Sequence, residues 1–212
     1  SDEIFLSFLP ASHALEHTGG QLFPIGLGAQ IYYAESIEKL AGNIEETRPT
    51  IMIVVPRLIE MLRSRILKAL EGSGGASRYL FRRALAIGEQ KYEGKLKPWD
   101  RPMDALLELT LRRKLRRKVG GRVKAWVSGV APLNPDVGIF FQSLGITFLQ
   151  GYGQTESAPV ISCNRPRVGI RLETVGPAIK DSEVRIAEDG EIMVGGENVM
   201  HGYWRNPEES AR

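Results

Sequence analysis

The sequence lacks the features that mark secreted and membrane-spanning proteins. It has a single cysteine, Cys163, so no disulfide can form within the chain, and a cytoplasmic location is the default expectation. No apolar run approaches the roughly 20 residues that are needed to cross a bilayer. No signal peptide is visible either. These absences exclude a disulfide-stabilised secreted domain and give no sign of a spanning helix.

Acidic residues are too few to balance the basic ones. There are 28 Lys and Arg against 25 Asp and Glu, which gives a net charge of +3. Much of the excess lies in one run, from Arg112 to Lys118. Such a run is typical of a solvated helix face, and it can also bind an anionic membrane surface. No aromatic residue interleaves with these charges, so we expect no nucleic-acid partner.

Short β-rich segments alternate with helical patterns over the first 158 residues. Hydrophobic residues make up 42% and charged residues 25%, as in ordinary soluble globular proteins. The alternation predicts an α/β fold, with a largely parallel sheet flanked by helices. The predicted strands are 4–9, 30–33, 51–55, 123–128 and 147–150, and the predicted helices are 13–27, 37–47, 56–70, 77–92, 103–118 and 134–144.

The pattern changes after Pro159. Helical periodicity disappears, and two β-like runs at 183–187 and 191–195 are joined by an Asp-Gly hairpin signal. We therefore divide the chain into an α/β part at residues 1–158 and a smaller β-rich part at residues 159–212.

Two glycine-containing segments each follow a predicted strand. They are SGVAPL at 128–133 and QGYGQTE at 150–156. In open parallel sheets, ligands bind at the carboxyl ends of the strands. Both segments are therefore expected at the ligand-binding edge of the sheet.

The side chains of the second segment suit a nucleotide phosphate. Gly151 and Gly153 let the backbone approach a ligand closely or adopt a positive φ. Tyr152 offers a flat surface that can stack on a base, and Thr155 offers a hydroxyl to a phosphate. Glu156 offers a carboxylate of the kind that binds Mg²⁺ together with substrate phosphates. From spacing alone, a tight turn with a helix cap remains the alternative.

Four segments resemble the motifs of one enzyme family. GYGQTE is similar to the YGxTE signature of the adenylate-forming superfamily, and SGVAPL is similar to its SGGAPL. GEIMVGGENVMHGYWRNPEES at 190–210 resembles GEIxVRGxxVMxGYWxxPExT. FLPASHALEH at 8–17 resembles the LPxSHxxER segment of long-chain fatty acyl-CoA synthetases. The four motifs occur in the expected order and cover nearly all of the chain.

The resemblance implies a two-step ligase reaction. A carboxylate attacks the α-phosphate of ATP to give an acyl-adenylate, and coenzyme A then displaces AMP. By this resemblance Tyr152 stacks on adenine, Thr155 holds the α-phosphate and Glu156 coordinates Mg²⁺. His13 lies beside the substrate carboxylate and gates an acyl tunnel that Val130 also lines. The implied catalytic residues are thus Thr155, Glu156 and His13.

The implied nucleotide site includes residues of both glycine-containing segments. Its partners are ATP or AMP, a fatty acid and coenzyme A. The nucleotide-binding residues that the resemblance implies are Gly129, Val130, Ala131, Pro132, Gln150, Gly151, Tyr152, Gly153 and Thr155.

The sequence departs from the family pattern at three places. Val130 stands where the family has glycine, which narrows the space near the adenylate or moves the backbone. His17 stands where the motif has arginine, and Gly195 replaces another arginine. The long connection at 72–122 favours the long-chain fatty acid branch. An aryl, amino or polyketide acid substrate and a basic, non-enzymatic membrane-docking module are the alternatives.

Several family motifs are not found in these 212 residues. They are the phosphate-binding loop with its lysine, the aspartate that holds the ribose, and the small C-terminal domain with its catalytic lysine. We therefore expect this chain to be a central fragment that is inactive on its own.

Overall fold

A computed structural model describes residues 1–211. Its main element is a six-stranded sheet with the strand order β2-β1-β3-β4-β5-β6. All neighbours are parallel except β5 and β6, which are antiparallel. This confirms the predicted α/β class. The strands are β1 (Ile4–Ser7), β2 (Gln30–Tyr33), β3 (Ile51–Val54), β4 (Ala125–Ser128), β5 (Phe148–Gly153) and β6 (Val160–Cys163).

Helices cover the sheet, and most begin and end near the predicted positions. Two helices contain π-helical segments, Glu16–Leu22 before α1 and Glu108–Arg112 between α5 and α6. Short 3-10 turns occur at Pro98–Asp100 and Thr155–Ser157. The α-helices are α1 (Phe23–Gly26), α2 (Leu40–Thr47), α3 (Pro56–Glu71), α4 (Gly75–Tyr92), α5 (Arg101–Leu107), α6 (Arg113–Lys118), α7 (Pro135–Ser143) and α8 (Pro207–Ser210).

Capping residues explain where two of the helices start. The Asn134 side chain accepts a hydrogen bond from the Asp136 N–H at 2.9 Å, so α7 begins as predicted. Ser36 accepts from the Lys39 N–H at 3.3 Å, but this bond closes a turn, and α2 begins only at Leu40. The predicted start at residue 37 was therefore too early.

An aromatic cluster joins the central strands to α7. The Trp126 ring of β4 lies edge-on to Phe148 of β5, with ring centroids 5.5 Å apart. Phe141 of α7 packs on both, at centroid distances of 5.9 and 5.5 Å. All three side chains are fully buried. Such rings bury large apolar areas, so they hold β4 and β5 in place under α7.

The β-rich end of the chain is arranged differently from the prediction. β7 (Ser182–Ile186) and β8 (Ile192–Gly196) form the predicted antiparallel hairpin as a separate two-stranded sheet. β6, however, belongs to the large sheet although it follows residue 158. The division at 158 and 159 therefore stays a prediction.

Within residues 1–211, no helix combines the length and the apolar character that crossing a bilayer requires.

The crossing of α4 and α7 yields a test of the core. A Cβ added at Gly88 would lie 2.2 Å from the Ser143 Cβ, whereas one added at Gly42 in α2 would meet nothing within 4 Å. We expect Gly88→Ala to lower the free energy of unfolding by about 2 kcal/mol, because overpacking outweighs helix propensity. Gly42→Ala is expected to raise it by up to ~1 kcal/mol. Urea denaturation measures both, and equal stability of the two variants would contradict the packing.

Candidate active site

A cavity of about 280 Å³ lies at the carboxyl ends of β4 and β5. The start of the segment that follows β1 forms one of its walls, through Ala14 and Leu15. The parallel register of β4 and β5 brings the two predicted segments side by side at this edge. Predicted site residues that line the cavity are His13, Gly129, Val130, Gly151, Tyr152, Gly153 and Thr155.

Four other predicted site residues do not line this cavity: Ala131, Pro132, Gln150 and Glu156. Gln150 is buried, and its side-chain amide is engaged within the protein. Its Oε1 accepts the Leu133 N–H at 2.8 Å, and its Nε2 donates to the Thr174 carbonyl at 3.3 Å. It therefore braces the loop after β4. Ala131 and Pro132 are exposed on that loop.

The glycines of the second segment serve strand pairing. β5 continues to Gly153, beyond the predicted end at residue 150, because β6 pairs with this part of the strand. A Cβ at Gly153 would lie 1.7 Å from the Pro159 carbonyl oxygen, and one at Gly151 would lie 3.1 Å from that of Ser162. Neither glycine has a positive φ. Their small size lets β6 approach and leaves Tyr152 between them.

The turn after β5 presents Thr155 and Glu156. Thr155 opens the 3-10 turn and is exposed at the cavity. Glu156 Oε1 accepts a hydrogen bond from the Tyr203 hydroxyl at 2.9 Å, and its backbone carbonyl accepts the Met200 N–H at 2.8 Å. The bond to Glu156 raises the pKa of Tyr203. These contacts join the segment at 190–210 to the segment at 150–156.

The carboxylate of Glu156 fits a limited role in binding Mg²⁺. Only Oε1 has a hydrogen-bond partner within residues 1–211, which leaves Oε2 for a cation. The described part of the chain contains no group of three or more His, Cys, Asp or Glu that could enclose a metal. One carboxylate suits Mg²⁺ that is bound mainly through substrate phosphates.

His13 is held with one ring nitrogen directed toward its own chain. Its Nδ1 accepts the Leu15 N–H at 3.2 Å, and its backbone N–H donates to the Pro10 carbonyl at 2.9 Å. A neutral imidazole that accepts at Nδ1 carries its proton on Nε2. His13 can therefore donate a hydrogen bond from Nε2 at the cavity wall.

Comparison with known proteins identifies the family. The sequence model of the AMP-binding enzyme family matches residues 1–204. The chain belongs to this family.

The proteins to which this AMP-binding chain is similar have names that refer to more than one kind of acid. Long chain acyl-CoA synthetase 1 of Arabidopsis thaliana is 31% identical over 98% of the chain and 33% of its own length. Two solved structures show the same fold. A benzoate CoA ligase from Burkholderia xenovorans LB400 has a TM-score of 0.64 at 20% identity, covering 99% of this chain and 36% of the ligase. The o-succinylbenzoate CoA synthetase of Bacillus subtilis, in complex with an acyl-adenylate, has a TM-score of 0.63 at 17% identity. That match covers 99% of this chain and 35% of the synthetase. The chain thus spans about a third of their length.

Glu16 follows the cavity-lining residues His13, Ala14 and Leu15, and the sequence patterns gave it no role. Its side chain is 1% exposed, and neither carboxyl oxygen has a hydrogen-bond partner in the described structure. Burial is the main cause that raises the pKa of Glu16, and the neighbouring Ser7 hydroxyl offsets part of this rise. Gly20 packs on the carboxyl group, since a Cβ there would lie 2.4 Å from Oε1. The available signal was the glutamate of the LPxSHxxER resemblance.

Glu16 also begins the π-helical segment Glu16–Leu22 of this AMP-binding chain. Single π-helical turns are rare in proteins as a whole, and those that occur are frequently found at functional sites. Burying a carboxylate without a hydrogen-bond partner is costly, which agrees with the raised pKa of Glu16. The segment that bears His13 therefore also contains a buried acid.

Val130 has an unusual backbone conformation. Its φ is +75°, and its side chain is 63% exposed at the cavity. Left-handed backbone is disfavoured for β-branched residues, because the side chain crowds the following carbonyl. Glycine, which stands here in the resembled motif, has no such cost. The departure at Val130 therefore stores strain in a loop of the site.

Two substitutions at residue 130 test this strain. Val130→Gly is expected to be about 1 kcal/mol more stable than Val130→Ala, because alanine keeps the left-handed penalty and glycine removes it. The isopropyl group of Val130 is exposed, so its removal lowers the free energy of unfolding little in either variant. Chemical denaturation of both variants measures the difference. An alanine variant that is as stable as the glycine variant would argue against strain.

Glu16 predicts a pH dependence of stability. Its raised pKa means that the folded state holds the proton more tightly than the unfolded state. That stabilisation is full below the ordinary pKa of 4.5 and is lost as the pH rises through the folded-state pKa. Glu16→Gln has nearly the same shape as the protonated glutamate side chain, but it cannot ionise. Its stability relative to the original chain should therefore increase as the pH rises across this window.

Urea unfolding of both proteins across this pH window measures the trend. The matched control is Glu60→Gln, which removes an exposed carboxylate from α3. A stability difference for Glu16→Gln that stays constant with pH would show that Glu16 has the same pKa in both states.

Proposed function

We propose that this chain is the adenylate-binding part of an acid–thiol ligase that joins a long-chain fatty acid to coenzyme A. The observation that supports the proposal most strongly is the convergence of His13, Tyr152 and Thr155 on one cavity. His13 comes from one segment and Tyr152 and Thr155 come from another, and together they offer a donor for a carboxylate, a surface for a base and a hydroxyl for a phosphate.

In the first step, a carboxylate oxygen of the acid attacks the α-phosphorus of ATP, and the bond to pyrophosphate breaks. Tyr152 stacks on the adenine, and Thr155 donates its hydroxyl to the α-phosphate. His13 orients the attacking carboxylate through Nε2–H. Donors that are already in place at the reacting phosphate stabilise its developing charge without reorganisation. Glu156 would hold Mg²⁺, which offsets the negative charge of the phosphates.

In the second step, the thiol of coenzyme A attacks the acyl carbon, and AMP leaves with the electrons of the acyl–oxygen bond. We propose that turnover needs segments beyond this chain, which spans about a third of its relatives. Binding of the adenylate is the part of the reaction to which these residues contribute.

A fatty acid is the substrate that we favour. The similarity to a long-chain acyl-CoA synthetase is 31% in sequence, whereas the similarity to the benzoate ligase is 20%. The cavity wall around His13 and Val130 also includes apolar side chains from Leu15, Val127 and Val160. An aryl, amino or polyketide acid is the alternative within the same chemistry.

Calorimetric titration with a non-hydrolysable palmitoyl-adenylate analogue tests the proposal. Tyr152→Ala is expected to weaken binding about ten-fold or more, because stacking on a base contributes roughly 1–3 kcal/mol. Tyr79→Ala, which removes an exposed tyrosine from α4, is the matched control and should bind normally.

A benzoyl-adenylate analogue in the same titration separates the acids. Tighter binding of the palmitoyl compound supports a fatty acid, and tighter binding of the benzoyl compound supports an aryl acid. Equal binding by Tyr152→Ala and the original chain would refute the adenine site.

A further inference from the structure

The basic run from Arg112 to Lys118 has two faces with different roles. Arg112 is 3% exposed; its Nε donates to the Ser143 carbonyl at 2.8 Å, and its Nη1 pairs with Asp104 at 2.5 Å. Arg116 pairs with Glu108, also at 2.5 Å. The bond from Arg112 to Ser143 joins this helical stretch to α7, whereas the ion pairs with Asp104 and Glu108 lie within the stretch itself. The expectation that the whole run is a solvated face was therefore wrong for Arg112.

The other four cations of the run face solvent. Arg113, Lys114, Arg117 and Lys118 are exposed, and none of them takes part in an ion pair within residues 1–211. The acidic side chains of the same helical stretch, Asp104 and Glu108, are engaged by the inward arginines. The outward charge is therefore not neutralised locally.

Exposed leucines continue this face toward the start of the helix. Leu106 and Leu109 are 48% and 69% exposed. Leu106, Leu109, Arg113 and Arg117 are separated by three or four residues, which places them along one side of the helical stretch. Buried Leu107 and Arg112 mark the opposite side. The exposed side thus has an apolar first half and a cationic second half.

A bulky aromatic residue lies just before this helical stretch. Trp99 is 73% exposed, and the Lys97 ammonium lies 5.6 Å from the centre of its ring. Tryptophan and basic residues are enriched where proteins meet the interface between lipid and water. This is the combination of side chains that a bilayer surface accepts.

We propose that the outward face of residues 106–118 docks on the surface of an anionic bilayer. Cations attract the lipid head groups, and the exposed leucines enter the boundary below them. An acidic protein or a nucleic acid would use the charges, but it would leave the leucines without a specific role. The proposal rests on this surface alone and stands whichever acid the active site accepts.

Vesicle flotation of this chain provides the test. Vesicles of phosphatidylcholine alone are compared with vesicles that also contain phosphatidylserine, each at low and at high salt. Each basic residue near an anionic surface adds roughly five-fold to partitioning. We therefore expect Arg113→Gln, Lys114→Gln, Arg117→Gln and Lys118→Gln, combined in one variant, to weaken binding to the anionic vesicles by about 100-fold or more.

A matched variant controls for net charge. Arg57→Gln, Arg65→Gln, Lys68→Gln and Arg78→Gln together remove four exposed cations from α3 and α4. This control should keep its binding to the anionic vesicles. A third variant, Leu106→Ser with Leu109→Ser, should lose the part of the binding that persists at high salt, where charges are screened.

Melting curves confirm that each variant is folded before its binding is compared. The proposal is supported by binding that needs phosphatidylserine, that the helix variant (the one with Arg113, Lys114, Arg117 and Lys118 replaced) loses and that the control variant keeps. The proposal is overturned if the chain ignores anionic vesicles or if the control variant loses as much binding as the helix variant. Retention on heparin without any binding to vesicles would overturn it in favour of an acidic macromolecule.

Discussion

The candidate site depends on the packing of β4 and β5 against α7. Trp126, Phe141 and Phe148 fill the space between these elements and keep the two strands parallel and adjacent. Parallel strands end at the same edge of a sheet, so the loop after β4 and the turn after β5 must meet there. Without this apolar contact, the glycine-containing segments at 128–133 and 150–156 would have no common cavity.

Costly features occur in two of the segments that line this cavity. Val130 has a left-handed backbone, and Glu16 is a buried acid without a partner within residues 1–211. Strained backbone and unsatisfied polar groups lower stability, and they persist at functional sites because the surrounding structure holds them in place. The packed sheet below the cavity supplies that support. Stability of the core and strain at the site are therefore linked in this AMP-binding chain.

The helical stretch 101–118 shows how one charged sequence serves two environments. Its inward arginines satisfy a buried carbonyl and two carboxylates, whereas its outward cations stay unpaired in the described structure. The π-helical segment Glu108–Arg112 lies between the two halves of this stretch. Net charge alone therefore overstates the basic surface, and the position of each side chain on the helix determines its role.

Sequence alone determined the local elements: the strands of the parallel sheet, the helix that begins at Asn134-Pro135 and the Asp-Gly hairpin. It also indicated the family, because the motifs at 128–133 and 150–156 consist of neighbouring residues. These signals act over a few residues, so they can be read along the chain. Tertiary structure decided the pairing of β6 with β5 and the burial of Glu16 and Arg112. It did so because these states depend on contacts with segments distant in the sequence, which local patterns do not encode.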